Sequence, residues 1–235
     1  MRNTLLPIIV AVLLFIFGVS ILNVQLWYSA RADTLSGARY VASDVNVILD
    51  EARHAADIAS QVALKSCDQE GQYQLGTEAA LQPHLRTILI FRQGEIWCSS
   101  LPGNRVLLTH LSEIAESKLQ LAPARNAVNG RPVLLYQTQV AGSRIVVTIG
   151  DQPVRDTLRT PLKEAEYSLL VGNAILGLSG DVVTVNKQDQ NVGRMSSKRY
   201  PFAIRYDLPP VFSLHRLISQ GMGILIFILL MSGIA

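Results

Sequence analysis

The sequence predicts an α+β protein: a long N-terminal helix packed on a curved antiparallel sheet, set between two transmembrane helices. Three observations predict it. Both ends of the 235-residue chain are apolar and uncharged. A seam of apolar residues at helical spacing follows the first end, and beyond it the period shortens to paired β-rich runs joined by glycine turns. Composition agrees, since 49% of the residues are hydrophobic and 17% charged, which excludes a disordered chain. The formal net charge is +3 and no basic block stands out, so nucleic acid is not an expected partner.

Residues 5–26 carry no charge, and neither do residues 217–235. About 20 helical residues cross the hydrocarbon layer at about 1.5 Å each. The first run meets that length, and Trp27 and Tyr28 follow where amphipathic rings settle among headgroups. Ala30-Arg31-Ala32 offers a small-x-small cleavage site, but a secretory apolar core spans only about 7–15 residues. Residues 5–28 are therefore expected as a retained transmembrane helix, with residues 1–4 in the cytoplasm. The second run is interrupted by Ser219, Gln220 and Ser232 only mildly, and 213–235 is expected as the second transmembrane helix. It ends without a Lys or Arg anchor, so a following cytoplasmic module is expected. The lipid bilayer is the partner these runs imply. Residues 29–212 remain as one domain with its own core.

Within that domain, residues 33–66 contain no proline and one glycine, Gly37. Leu35, Ala38, Ala42, Val45, Leu49, Ala52, Ala56, Ala59 and Ala63 repeat at steps of three and four, a heptad seam. Val41, Ile48, Ala55, Ile58 and Val62 widen its face. Two arrangements fit: this stalk helix pairs with its twin in a homodimer, or it docks on its own domain by one broad face. Residues 87–91 and 95–99 flank Arg92-Gln93-Gly94 as a hairpin. Residues 107–121 show helical spacing through Leu107, Leu111, Ile114, Ala115 and Leu119. Residues 132–140 and 144–150 make a second hairpin across Ala141-Gly142-Ser143. Pro153 then opens a helix capped by Asp151 or Gln152 and limited by Pro161. Residues 176–185 and 200–207 read as the last strands, and Pro209-Pro210 marks the exit. By fold-level analogy this is the layout of PAS-like and Cache-like extracytoplasmic sensors.

The chemistry on offer is a cysteine pair, Cys67 and Cys98. An oxidising compartment would allow them to bond. A bond would staple the helix end to the first hairpin, and closing a loop of about 30 residues is worth roughly 3.5–4 kcal/mol. A regulatory disulfide, a purely structural one and two unrelated buried thiols all fit these positions. His54, His84, His110 and His215 lack ligand spacing, so no metal is expected. Gly177-Leu178-Ser179-Gly180 is not a nucleophile elbow, and Gly172, Gly177 and Gly180 lack dinucleotide-loop spacing. No catalytic residue and no cofactor are expected. Asp50, Glu51, Glu113 and Glu116 read as solvated helix-face charges. Arg86, Arg92, Arg105, Arg131 and Arg144 gather around the hairpins, as a pocket for an anionic ligand or as scattered surface charge.

The run Ile96-Trp97-Cys98-Ser99-Ser100-Leu101-Pro102-Gly103 resembles the signature of the CSS-motif sensor domain of bacterial EAL-type cyclic-di-GMP phosphodiesterases. Cys98-Ser99-Ser100 is the motif itself. An apolar run before it, a helix with an upstream cysteine and a second apolar run after it extend the resemblance over essentially the whole chain. The resemblance implies a periplasmic domain held in the inner membrane by both spans. It implies Cys67 and Cys98 as the redox pair, bonded and reduced by periplasmic disulfide-forming and reducing proteins. It further implies that the bond holds a cytoplasmic phosphodiesterase at low activity, and that reduction raises activity and exposes the domain to proteolysis. These residues contain no Glu-Ala-Leu module, so the resemblance implies a regulatory rather than a catalytic chain. Ser99 and Ser100 alternate faces on a strand, leaving only one on the Cys98 face, and both read as strand-end or turn residues. Lys65 would favour a Cys67 thiolate if it came close in space. The alternative function is an extracytoplasmic small-molecule-binding sensor with a purely structural disulfide.

Overall fold

The computed structural model describes residues 2–101, 117–124, 130–159, 165–185 and 192–234. In chain order, α1 (Arg2–Ala63) and α2 (Gln69–Leu81) precede the strands β1 (Leu85–Arg92), β2 (Glu95–Ser99), β3 (Leu119–Ala122), β4 (Val133–Val140) and β5 (Ser143–Gly150). Then come α3 (Asp151–Leu158), β6 (Tyr167–Val171), β7 (Ala174–Leu176), β8 (Val182–Thr184), β9 (Val192–Ser196), β10 (Ala203–Asp207) and α4 (Leu214–Ile234). The chain divides into two compact units, one of Met1–Ser36 with Leu208–Ala235 and one of Gly37–Asp207.

In the smaller unit, residues 22–27 of α1 lie beside α4 and the segment that enters it. Asn23 Nδ2 donates to the Val211 carbonyl at 3.0 Å and Trp27 Nε1 to the Pro209 carbonyl at 3.3 Å. Leu22 and Leu217 are buried, and a Cβ on Gly221 would stand 3.0 Å from Leu22 Cδ2. The glycine lets the two helices approach closely. Among the described residues, one helix is long and apolar enough to cross a membrane, with an 18-residue window of mean hydropathy 2.5. Ile8, Leu13, Ile16 and Phe17 on it are exposed. α4 takes in residues 217–234 of the second uncharged run.

Among the described residues, the larger unit holds two five-stranded antiparallel sheets, ordered β2-β1-β5-β4-β3 and β8-β7-β6-β10-β9. The expected single curved sheet is therefore two. Residues 176–185 do not form one strand; β7 ends at Leu176, and the chain turns through Gly180 (φ 86°) before β8. β6 and β9 are strands that no marked alternation in the sequence predicts. Leu119 and Leu121 are buried about half-buried Gln120, a period of two that makes β3, so the helical spacing ending at Leu119 fails there. The remainder of that stretch, 107–116, lies outside the described residues, as do Pro102, Gly103, Arg105, His110, Glu113, Glu116 and Pro161.

Both expected hairpins form, with tighter turns. Gln93 and Gly94 (φ 51° and 85°) and Ala141 and Gly142 (φ 47° and 77°) are the two-residue turns; their left-handed backbone matches the twist of the flanking strands. Arg92 and Ser143 belong to the strands. α3 begins where expected, but Gly150 is its cap and donates no side chain. Asp151 is instead committed to Arg155, 2.9 Å away in a largely buried ion pair.

Opposed residues of antiparallel strands share a face. Leu89, Phe91, Leu135 and Val146 form a buried cluster on one face of the first sheet. Ile88, Ile90, Tyr136, Ile145 and Val147 occupy the other. α1 lies over this second face: burial, with the Asp57 and Asp50 carboxylates of α1, raises the Tyr136 phenol above its ordinary range. Ala38, Val45, Leu49, Ala52, Ala55 and Ala59 are wholly buried. The heptad seam is thus consumed by docking within the chain, its alanines allowing close approach. A homodimer through the stalk would have to use the outward face of α1, where Tyr40 and Val47 are exposed.

Candidate functional site

α1 stops at Ala63, three residues short of the expected end. The Leu64 and Lys65 N–H groups bond back to the Ser60 and Val62 carbonyls at 3.2 and 3.0 Å. The Ala63 carbonyl accepts from Arg92 Nη2 at 2.5 Å, a cation on the negative end of the helix dipole. Arg92 also donates from Nε to Ser143 Oγ at 3.2 Å and lies over the Trp97 ring at 3.4 Å. Trp97 is the extra residue of a β-bulge, since Ile90 pairs with Cys98 but Phe91 pairs with Ile96. Arg92 thereby pins the end of α1 to both hairpins. Sequence reasoning placed it among candidate ligand-binding or surface arginines; the signal that would have found its role is an arginine at a hairpin end facing a tryptophan across the turn.

A short link leads from α1 into α2, a helix the sequence reading passed over because its apolar face is narrow. Only Gly71, Leu75 and Glu78 of α2 are buried. Its cap is Asp68, whose carboxylate accepts from the Gly71 N–H at 2.9 Å and from Ser66 Oγ at 2.6 Å. The Ser66 hydroxyl, then the Gly71 amide, hold this carboxyl below the usual range. A Cβ on Gly71 would lie 2.7 Å from the Ser66 carbonyl and 3.1 Å from Val62 Cγ1.

Cys67 sits in that link, one residue before the cap, and is bonded to Cys98 of β2. Their Cα atoms are 5.7 Å apart, inside the range that a disulfide spans. Cys98 is fully buried and Cys67 half-buried. Gln72 Nε2 approaches Cys67 Sγ at 3.8 Å. Lys65 is exposed. The bridge ties the α1–α2 link to the edge strand of the first sheet, on the face that α1 covers.

The serines of the motif serve the backbone. Ser99 is buried and its Oγ accepts from the Leu101 N–H at 3.1 Å. Ser100 Oγ accepts from the Ile88 N–H at 3.0 Å, and the Ser100 N–H donates to the Ile88 carbonyl at 2.9 Å. Ser100 thus prolongs the β1–β2 ladder past its last paired residue and satisfies an amide left over there. It lies on the Cys98 face and Ser99 on the other. α2 passes close above, where a Cβ on Gly76 would be 3.3 Å from the Ser100 carbonyl.

Further polar contacts hold α1 in place. Asp50 accepts from Tyr200 OH at 2.6 Å and pairs with both Arg199 nitrogens at 2.7 Å. Glu51 meets His84 Nδ1 at 2.8 Å, and His54 lies 3.8 Å from buried Glu78. Asp50 and Glu51 are therefore clamps rather than solvated charges, with partners that only folding brings near. Burial, then the bond to Asp50, pushes the Tyr200 phenol well above its ordinary range. Among the described residues, no three His, Cys, Asp or Glu converge as a metal site would require.

Of the arginines around the hairpins, Arg144 lies over Phe91 at 5.0 Å and borders a hollow of about 260 Å³ at the two turns. A larger cleft of about 520 Å³ is lined by Lys118, Leu119, Leu170, Arg194, Tyr200 and Phe202, among others, and by none of the arginines singled out in the sequence.

Residues 30–221, which include the bridge, both serines, Arg92 and the Asp50 clamp, match the family model described as "CSS motif domain associated with EAL". The chain belongs to the CSS-motif family. It is 55% identical over 232 residues to "Probable cyclic di-GMP phosphodiesterase PdeG" of Escherichia coli (strain K12). That match takes in 99% of this chain and 46% of the relative, so the chain spans about half the length of the curated relative it matches. What it holds is the CSS-motif domain, with no Glu-Ala-Leu tripeptide among its residues.

Proposed function

We propose that this CSS-motif domain is a periplasmic thiol–disulfide sensor, anchored in the bacterial inner membrane by the apolar ends of α1 and α4, that regulates a cytoplasmic cyclic-di-GMP phosphodiesterase. The observation that carries the reading is the Cys67–Cys98 bond between the α1–α2 link and β2. Residues 64–68 follow the helix that the whole domain grips. With the bond closed, the α1 end is held by the bridge and by Arg92 together. With it reduced, Arg92 and the narrow face of α2 hold it alone. Periplasmic oxidants keep such pairs bonded, so the closed state is the resting one, and reduction is the signal passed along α1. Periplasmic disulfide-forming and reducing proteins are the implied partners.

The test replaces the matched region of the Escherichia coli relative with this chain and follows cyclic-di-GMP hydrolysis in membranes. Reduction, or Cys98→Ser, is expected to raise hydrolysis and to abolish the oxidation-dependent shift on a non-reducing gel. Equal hydrolysis in both states, or two free thiols in membranes from oxidising cells, sinks the proposal. A second reading, a small-molecule sensor with a merely structural bridge, is favoured by the cleft bearing Lys118 and Arg194. It prevails if Cys98→Ser leaves hydrolysis unchanged while Lys118→Gln with Arg194→Gln alters it.

A further inference from the structure

The two sulfurs of the bridge are not equivalent. Cys98 is fully buried on the α1 face of the first sheet, opposite Ile90 and beneath α2. Cys67 is half-buried, in a link whose neighbours Leu64, Lys65, Ser66, Asp68, Gln69 and Glu70 are all exposed. Thiol–disulfide exchange needs a thiolate to reach one sulfur in line with the bond, so access decides which one is attacked. We infer that exchange enters the domain through Cys67, which alone forms the mixed disulfide with the reducing partner, while Cys98 is the sulfur released inside. The inference deepens the redox reading and rests on it.

The partner class is a protein dithiol. Its thiolate attacks Cys67 Sγ; a bond forms between the two sulfurs as the Cys67–Cys98 bond breaks. The electron pair leaves on Cys98, which takes a proton from solvent because burial disfavours the thiolate. The partner's second thiolate then attacks its own sulfur in the mixed disulfide, releasing Cys67 as a thiol. The domain's bridge has gained two electrons and two protons, and the partner has become a disulfide. Re-oxidation retraces the path, with Cys67 as the attacking thiolate. A dithiol, which resolves the adduct itself, is the effective reductant.

The test treats the wild-type chain in detergent with reduced glutathione, quenches in acid and maps the adduct by mass spectrometry. Glutathione on Cys67 with a free thiol at Cys98 is the expected result. In parallel, Cys98→Ser and Cys67→Ser chains meet the aromatic disulfide DTNB with and without urea. The thiol of Cys98→Ser is expected to react about tenfold or more faster than that of Cys67→Ser in the folded chain, the gap closing in urea. Glutathione on Cys98, equal adducts on both sulfurs, or no adduct on the folded wild type while the unfolded chain reacts overturns the inference. An adduct on Cys98 would leave the sensor reading standing, because that reading is scored by hydrolysis and not by which sulfur is entered.

Discussion

Gly71 shows how a single side chain's absence sets the geometry around the bridge. Alanine is the better helix former by about 1 kcal/mol, so propensity alone predicts that Gly71→Ala stabilises α2. Packing predicts the reverse, because the new Cβ would stand 2.7 Å from a backbone carbonyl of the link and 3.1 Å from Val62. Backbone cannot yield as a flexible side chain does, and such overpacking costs about 1–3 kcal/mol. Gly71→Ala is therefore expected to lower the urea midpoint of the chain; a raised midpoint would show that the α1–α2 contact has room for a methyl group. At this scale the cysteines and the motif serines were legible, being defined by residue type and spacing. Arg92 was not. Its partners Ala63, Ser143 and Trp97 come from three elements, and nothing in a linear pattern announces that they meet.

Between elements, the grip of the β9–β10 turn on α1 is as informative as the bridge. Asn46 accepts from Ser197 Oγ at 2.9 Å, and Asp50 receives Arg199 and Tyr200. The turn thus fastens α1 at Asn46 and Asp50, as the bridge and Arg92 fasten its end. Tyr200 has a pKa raised above its unfolded value, so the folded state binds the phenolic proton more tightly. Its contribution is complete below the unfolded value of about 10 and is lost as pH rises through the raised one. The melting temperature of the wild type is accordingly expected to fall above about pH 10. Tyr200→Phe should fall less steeply there, having already lost about 1–3 kcal/mol at neutral pH with the bond to a charged carboxylate. Parallel pH profiles for the two chains would remove Tyr200 from the clamp. Both hairpins could be read from β-rich runs and glycine turns. α2 and β9 could not: α2 buries too narrow a face, and β9, at one edge of its sheet, has no fully buried residue to mark it.

For the whole molecule, the bridge closes a separation of 31 residues, and restricting the unfolded chain by such a loop is worth about 3.5–4 kcal/mol. Against a typical domain stability of about 5–15 kcal/mol, reduction is expected to lower the unfolding midpoint of the Gly37–Asp207 unit markedly without unfolding it. The measurement is urea unfolding in detergent with and without reductant, with Cys67→Ser/Cys98→Ser as the redox-insensitive control. A midpoint unmoved by reductant in the wild type would remove the energetic basis for a switch. The amino-acid sequence by itself determined what depends on composition and near neighbours: an uncharged apolar run toward each end, a long helix with an apolar seam, two hairpins and a motif cysteine with a second cysteine upstream. Only the tertiary structure decided that the seam is spent on the chain's own domain, that the strands divide between two sheets, and that Cys98 is buried where Cys67 is not. Each of those outcomes depends on which surfaces lose water to one another, and that is a property of residues distant along the chain.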